Sequence, residues 1–338
     1  MAEASMSSLT RPGVHLQRMG LGLLLAVALA GQVVAQSTIA SPQQPSTPLP
    51  GVTVTAKPTP PAPSGSTYNR ALNFIDSRGQ VAPSGKLARW ADPICPMTLG
   101  LSPEQAKFVS YRVRHVADLV GAPKIKGGRC AANVEIVFTT EPQKLLDAIA
   151  AKRSAYLGYH DVPETQKLAT VTRPVQAWYL TATRGAGGAT ALDIEVGNMG
   201  SIAGAPGTVE SLLNAGHSPG GCAGSALTDC RSSQFANILV LVDGDQVKDA
   251  KLGPPADYVA LLALAQLKSL DGCGPVASIL DLLTPACASR AAPDALTAGD
   301  MSYLKGLYRA DGADALWYQR DQIADSMTEK PKDTPPPK

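Results

Sequence analysis

The chain has 338 residues, of which 44% are hydrophobic and 5% aromatic, and its formal net charge is +2 at pH 7. Basic and acidic residues are interspersed, and few aromatic side chains are available to stack on bases. The composition therefore argues against nucleic acid as a partner.

The first 35 residues are typical of a secretory signal peptide. Arg11 and Arg18 precede the apolar run MGLGLLLAVALA at 19–30, and small residues follow up to Ala35. The run is short for a helix that crosses a bilayer, which needs about 20 apolar residues. We expect cleavage after Ala35, a mature protein without a transmembrane segment, and a periplasmic or secreted location.

Two further segments have the composition of disordered chain. Residues 36–67 are rich in Pro, Ser and Thr and cannot bury enough apolar surface to offset the entropy lost on ordering, so we expect a disordered linker. Residues 328–338 have a similar polar composition, and we expect a disordered tail there. The remaining residues, 68–327, show no internal shift in composition and predict a single domain.

The six cysteines are best interpreted as a disulfide framework. Thiols oxidise in exported proteins, and an even count leaves none unpaired. A zinc site is disfavoured because the sequence contains no C-x-x-C pair. Spacing alone does not determine the connectivity, but we favour pairs that are close in the sequence: Cys95 with Cys130, Cys222 with Cys230, and Cys273 with Cys287.

The first half of the domain alternates helical and strand patterns. Ser102 and Pro103 are typical of a helix start, and the apolar periodicity that follows continues to Gly121, a residue type that commonly ends helices. Alternating β-branched residues predict strands, and a Gly-rich stretch between two of them predicts a hairpin. In chain order the predicted elements are a helix at 103–121, a strand at 133–138, a helix at 141–153, and hairpin strands at 175–184 and 191–196.

The second half contains one strand and several helices. Residues 235–242, FANILVLV, form the most apolar predicted strand and are expected at the centre of the sheet, followed by a hairpin turn at Asp243 and Gly244. Strands early and helices late predict an α+β fold, a single domain with helices packed on a mixed or antiparallel sheet and with disulfide-clipped loops. The predicted helices lie at 255–270, 276–283, 297–308 and 313–327.

The motif GHSPG at 216–220 matches the G-x-S-x-G pattern of a serine hydrolase, with Ser218 as the nucleophile. The residue after the nucleophile normally donates its backbone N–H to the oxyanion hole, but Pro219 has no N–H. The base of such hydrolases follows the serine in the chain, and no histidine occurs after His217. We therefore interpret this segment as a Gly-rich loop.

Motifs for metals, nucleotides and other cofactors are missing from the sequence. Histidine is scarce, and no two histidines have the spacing of the H-E-x-x-H zinc helix. No phosphate-binding glycine motif is present, so we expect neither a metal nor a cofactor. A metal site that draws one ligand from each of His115, His160 and His217 stays open as an alternative, because unrelated loops can converge.

Several short stretches carry a resemblance to a known family. They are WADPI at 90–94, ANV at 132–134, the ALAQL helix within 255–270, Ser278 with Ile279, and LTAGDMSYLKGLY at 296–308. Together they resemble a family of uncharacterised proteobacterial exported proteins and lipoproteins, which is similar to zinc metallopeptidases of the zincin type. The resemblance implies a zincin-like fold over most of residues 88–310.

The same resemblance implies that the helix at 255–270 stands in the place of a catalytic helix. Aligning Gln266 with the last position of H-E-x-x-H puts Leu262 at the first histidine and Ala263 at the glutamate. Leucine cannot ligate zinc, and alanine cannot polarise a water molecule. We expect a degenerate site whose helix keeps only a packing role.

Two functions from different classes follow from these observations. The first is an exported, non-catalytic protein with a degenerate metallopeptidase-like fold, which binds an unidentified envelope protein or ligand or has a structural role in the cell envelope. The alternative is a secreted hydrolase of the peptidase or esterase type with a non-standard site. Its candidate residues are His160, Asp161, Glu164, His217 and Ser218.

Overall fold

Five strands form one mixed sheet in the computed structural model. The structure describes residues 66–125, 127, 130–158, 166–185, 188–194, 230–247 and 251–329. All of them belong to one unit of the chain, Thr59–Lys338. Helices pack on both faces of the sheet, which gives the α+β architecture that the sequence predicts.

The strands run in the order β1-β2-β5-β3-β4 across the sheet. The first three in this order are parallel, whereas β3 is antiparallel to both β5 and β4. The most apolar strand lies at the centre, which confirms the prediction. The strands are β1 (Pro96–Leu99), β2 (Val134–Thr139), β3 (Val175–Arg184), β4 (Thr190–Leu192) and β5 (Ser232–Asp243).

Six helices of ten or more residues lie in the described part of the chain. They are α1 (Thr67–Arg78), α2 (Pro103–Val120), α3 (Pro142–Arg153), α4 (Gly253–Leu264), α5 (Ala298–Arg309) and α6 (Leu316–Thr328). Shorter turns of helix lie at Ser154–Leu157, Gly244–Val247, Ile279–Leu283 and Pro285–Cys287.

The ends of α2 and α5 follow from local sequence. Ser102 accepts from the backbone N–H of Gln105, whose side chain accepts from the backbone of Ser102 in return, and this reciprocal pair starts α2. Gly121 ends the helix with φ of 83°, a left-handed conformation that suits glycine. Thr297 and Asp300 form the same kind of box at the start of α5.

The main core lies between one face of the sheet and helices α1, α2, α4, α5 and α6. Strand alternation explains the division: Val134, Ile136 and Phe138 of β2 face this core, whereas Val137 faces the other side. Helix α4 is central, and all its residues from Pro255 to Leu264 are buried. A smaller second core lies on the opposite face, where α3 and the turn Ser154–Leu157 cover the sheet.

The first and last described helices pack against each other. The hydroxyl of Tyr68 in α1 donates to Asp321 in α6 at 3.0 Å. An ion pair between Arg320 and Asp76 joins the same two helices. Helix α1 is not predicted by the sequence analysis, and its first residue falls within the linker that we expected to end at residue 67.

Other element boundaries differ from the predictions for tertiary reasons. The helix predicted at 255–270 ends at Leu264, because the chain then extends and pairs with the segment after α1. The helix predicted at 276–283 is the short 3₁₀ helix Ile279–Leu283. The hairpin turn predicted after the central strand is wrong, because β5 runs directly into the helical turn Gly244–Val247. The hairpin of β3 and β4 is confirmed.

Two disulfides have both cysteines within the described residues. Cys95 pairs with Cys130 at a Cα–Cα distance of 6.0 Å, and Cys273 pairs with Cys287 at 5.3 Å. Cys230 is also disulfide-bonded, whereas Cys222 lies outside the described residues. Disulfides of this kind are compatible with an oxidising, extracytoplasmic compartment.

Among the described residues, no helix combines the length and the apolar character needed to cross a membrane.

Candidate functional site

The C-terminal turn of α4, where the degenerate site was predicted, is buried in the main core. Leu262 and Ala263 are both at most 1% exposed. The last carbonyls of a helix have no partner within the helix, and a buried carbonyl without a partner is unfavourable. Here aromatic side chains supply the donors. The hydroxyl of Tyr179 donates to the carbonyl of Leu262 at 3.1 Å, and the indole N–H of Trp90 donates to the carbonyl of Ala263 at 2.7 Å. The hydroxyl of Tyr308 donates to the carbonyl of Leu264 at 3.0 Å.

Gln266 does not belong to this helix. Ala265 ends α4 with extended backbone angles, φ −143° and ψ 137°, so Gln266 lies one residue further along an extended segment. The predicted spacing of Leu262, Ala263 and Gln266 on one helix is therefore wrong. These residues do not fit a zinc ion, because the two on the helix offer no ligand atom and the third is not on the same turn.

One other group of described residues has ligand atoms close enough together to hold a metal ion: Cys273, Asp281 and Cys287. Both sulfurs are joined in a disulfide and are not thiolates. Asp281 forms an ion pair with Arg290 at 3.2 Å. The arrangement stabilises the loop after α4 and does not offer a free coordination site.

A cleft of about 630 Å³ opens beside β3, and we call it the edge cleft. Its floor consists of Ala177, Trp178, Tyr179 and Thr181 of that strand. One wall comes from the main-core side, at residues 80–83 and 266–268, and the other from the second-core side, at Leu157 and Leu168. The cleft thus lies between the two layers that cover the sheet, at the edge of β3.

The edge of β3 that faces the cleft is unpaired over half its length. On its other side the strand pairs with β5 along its whole length, but β4 pairs only with the end from Ala182 to Arg184. Among the described residues, nothing pairs with the cleft side of β3 from Val175 to Leu180. The edge cleft therefore occupies the place of a further strand.

The direction of the backbone groups follows from the pairing register. The carbonyl of Pro174 accepts from the N–H of Asp243 at 2.8 Å, so alternate residues after it, Gln176 and Trp178, face β5. The N–H and C=O groups of Ala177 and Tyr179 consequently point away from β5 and into the cleft.

Thr181 is the next residue whose backbone groups point away from β5, and its carbonyl already has a hydrogen-bond partner. This carbonyl accepts from the N–H of Asp193 at 2.9 Å, just beyond β4. The available edge of β3 therefore ends at Thr181. The free stretch, Val175 to Leu180, is thus six residues of β3, within the usual length of a strand.

The wall on the main-core side is held by backbone hydrogen bonds. The N–H of Gln80 donates to the carbonyl of Gln266 at 3.0 Å, and the N–H of Lys268 donates to the carbonyl of Arg78 at 2.8 Å. Arg78 is buried and donates from its guanidinium to the carbonyls of Ser269 and Gly272. Burial lowers the pKa of this guanidinium. These bonds tie the wall to the end of α1.

The polar atoms of the edge cleft suit binding better than acid–base chemistry. The side-chain oxygen of Gln266, Oε1, is buried and has no hydrogen-bond partner among the described residues. Lys268 is exposed at the rim. Burial raises the pKa of Tyr179 far above its usual value, and its hydroxyl donates to Leu262. The hydroxyl of Thr181 donates to Asp193 at 2.7 Å.

No carboxylate, imidazole or thiol lies among the described residues that line the edge cleft. The residues of the alternative hydrolase site, His160, Asp161, Glu164, His217 and Ser218, lie outside the described part of the chain. The structure therefore neither brings them together nor separates them.

Comparison of the chain with protein-family models, with curated proteins and with solved structures finds no match in any of the three. The resemblance to zincin-type metallopeptidases stays a prediction.

Sequence reasoning predicts the strand at 175–184 but misses the edge cleft. The apolar pattern along β3 indicates which side chains are buried, and it contains no information about which edge of the strand is paired. The one available signal is length, because the predicted partner at 191–196 is too short to cover the whole of β3.

Proposed function

We propose that the protein is an exported, non-catalytic binding protein of the cell envelope, with a degenerate metallopeptidase-like fold, and that the edge cleft holds its ligand. The observation that carries this proposal is the lining of the cleft. Its described residues combine apolar side chains with uncharged polar groups and a single charged residue, Lys268. Concave, largely apolar sites with a few polar groups are the usual form of binding sites.

Helix α4 supports the non-catalytic part of the proposal. Its last carbonyls are all used to accept from aromatic side chains of the core. Leu262 and Ala263 contribute packing to the same core. A helix used in this way has no exposed face on which a catalytic residue could reach a substrate.

The test compares two variants that each place a large side chain on the surface. Lys268→Trp puts it at the rim of the edge cleft, and Lys305→Trp puts it on the exposed side of α5. After crosslinking in intact cells and purification from envelope fractions, we expect the wild type and Lys305→Trp to retain the same partner and Lys268→Trp to lose it. Equal retention by both variants would exclude the cleft as the binding site.

The catalytic alternative is tested on the wild-type protein purified without chelator. Close to one equivalent of zinc, together with a hydrolytic activity that is lost on its removal, would overturn the non-catalytic proposal. Loss of activity in His160→Ala or Ser218→Ala would then identify the site.

A further inference from the structure

We propose that the ligand of the edge cleft is an extended polypeptide segment, which adds to β3 as an extra strand of the sheet. This inference rests on the proposed function and specifies its ligand class. It begins from the backbone groups of Ala177 and Tyr179, which point into the cleft without partners among the described residues.

These groups form a row of alternating donors and acceptors. Each of the two residues offers one N–H and one C=O, spaced as in a sheet. Another extended backbone supplies the complementary row, which is how peptides bind to sheet edges in several kinds of recognition domain. A compact apolar ligand would instead cover these groups without pairing them, at a cost in free energy.

The walls indicate which side chains such a segment carries. Successive side chains of a strand point to opposite faces, so one set meets Leu157 and Leu168 and the other meets the wall that contains Gln266. The first set is therefore apolar. The second set includes a hydrogen-bond donor, because the buried Oε1 of Gln266 has no partner.

Charge at the rim favours an acidic residue near one end of the segment. Lys268 is the one charged residue among the described residues that line the cleft, and it is exposed. An acidic side chain at this point would be attracted to the ammonium group without burying a charge. The partner is thus an extended peptide segment of about six residues with alternating apolar and polar side chains and an acidic flank.

The test uses a synthetic peptide with this pattern, labelled with a fluorophore, and two versions of it that carry N-methyl groups on alternate amides. When the peptide is added to β3 as a strand, every second peptide amide faces β3 and the others face away from it. We expect one N-methylated version to bind at least about tenfold more weakly than the parent peptide and the other to bind equally well. Equal binding by all three peptides would overturn strand addition.

Two measurements on the protein complete the test. In the wild type, hydrogen exchange at the amides of Ala177 and Tyr179 is expected to slow when the peptide is added, because these amides become donors in the new ladder. Unchanged exchange at both amides while the peptide is bound would overturn the inference. Lys268→Glu is expected to weaken binding several-fold, whereas Lys305→Glu, on the exposed side of α5, leaves it unchanged.

Ala177→Pro removes an N–H that faces the cleft and leaves the bonds to β5 in place. If it folds, as judged by circular dichroism, we expect it not to bind the peptide. If it does not fold, the hydrogen-exchange measurement on the wild type decides.

Failure of the inference is distinguishable from failure of the proposed function. If no peptide binds but Lys268→Trp still loses the crosslinked envelope partner, strand addition is wrong and the edge cleft remains the binding site. If no peptide binds and Lys268→Trp retains that partner, both proposals are wrong.

Discussion

Arg112 and Asp257 form a two-pronged ion pair that joins the middle of α2 to the N-terminal half of α4. One guanidinium nitrogen of Arg112 donates to each carboxylate oxygen, with a distance of 2.8 Å for the Nη2 contact. Asp257 also accepts from the backbone N–H of Leu296 at 2.9 Å. The pair joins two helices of the main core, and the hydrogen bonds to Asp257 raise the pKa of Arg112.

Removing the arginine of this pair is expected to destabilise the fold. Asp257 is buried, so Arg112→Met leaves a carboxylate in the core with one remaining donor. We expect a loss of about 2–3 kcal/mol in the free energy of unfolding, less than for a fully buried pair because the Arg112 side chain is 32% exposed. Urea denaturation measures it. Arg114→Met, at an exposed position of the same helix, is the control and is expected to change stability by about 0.5 kcal/mol or less.

Leu262→Ala and Ala263→Glu test the packing role of α4. Leu262→Ala is expected to cost about 2–5 kcal/mol because it opens a cavity in the core. Ala263→Glu is expected to cost more, because it buries a carboxylate without a partner. Thermal unfolding of both is compared with Leu119→Ala and Ala151→Glu, which change exposed residues. A well-folded Ala263→Glu protein would show that the helix is not core.

The aromatic hydrogen bonds at the end of α4 are tested with two tyrosines of α5. Tyr308→Phe removes the donor to the carbonyl of Leu264, and we expect a loss of about 1–3 kcal/mol for the unpaired group. Tyr303 is buried nearby, and its hydroxyl forms no hydrogen bond within the described residues. Tyr303→Phe is therefore expected to have little effect. Similar losses in both variants would assign the effect to loss of the hydroxyl group itself and not to loss of its hydrogen bond.

Stability is expected to depend on pH through Asp300 and Asp193. Burial raises the pKa of both carboxyl groups above the unfolded value. A carboxyl group whose pKa is higher in the folded state than in the unfolded state stabilises the fold fully at pH values below the unfolded pKa. This stabilisation is lost as pH rises through the folded pKa. Replacing either residue by Asn removes its contribution. We therefore expect each variant to gain less stability than the wild type when pH is lowered from neutral towards the unfolded pKa of about 4.

The two Asn variants are expected to differ at neutral pH. The backbone N–H groups of Ile279 and Thr297 both donate to Oδ2 of Asp300, so Asp300→Asn can keep these bonds through its amide oxygen but loses their charge-assisted part, and we expect a cost of about 1–2 kcal/mol. Asp193 accepts from the hydroxyls of Thr181 and Thr183, which can rotate. Urea denaturation at neutral and at acidic pH measures the two effects. Equal costs at neutral pH would contradict this assignment of donors.

The state of the exported protein is tested by intact-mass measurement with and without reduction. We expect a mature chain that begins at Gln36 and three disulfides, one for each pair of the six cysteines. Removing Cys95 and Cys130 together is expected to cost about 4 kcal/mol, and removing Cys273 and Cys287 about 3 kcal/mol, because the second pair closes a shorter loop. Six free thiols or an unprocessed N-terminus would contradict the assignment of compartment.

Local sequence signals predicted helix ends well where neighbouring residues determine them. The Ser102 cap and Gly121 bound α2, and Thr297 starts α5, as the sequence indicates. Prediction failed where contact with a distant segment determines the end of an element. Helix α4 ends early because Gln266 pairs with Gln80, which is far away in sequence. The parallel pairing of β2 with β5 and the free edge of β3 depend on the same kind of distant contact, so the edge cleft has no local signature.

The packing of α1 against α6 has a consequence for the order in which the chain can fold. Helix α1 makes its main helix contact with residues 316–328, and β2 gains its second neighbour only when β5, about a hundred residues later, is present. The main core is therefore incomplete until the last helix is present. A chain that lacks residues 316–328 leaves α1 without its main helix partner, so the first helix of the fold is among the last elements to be held in place.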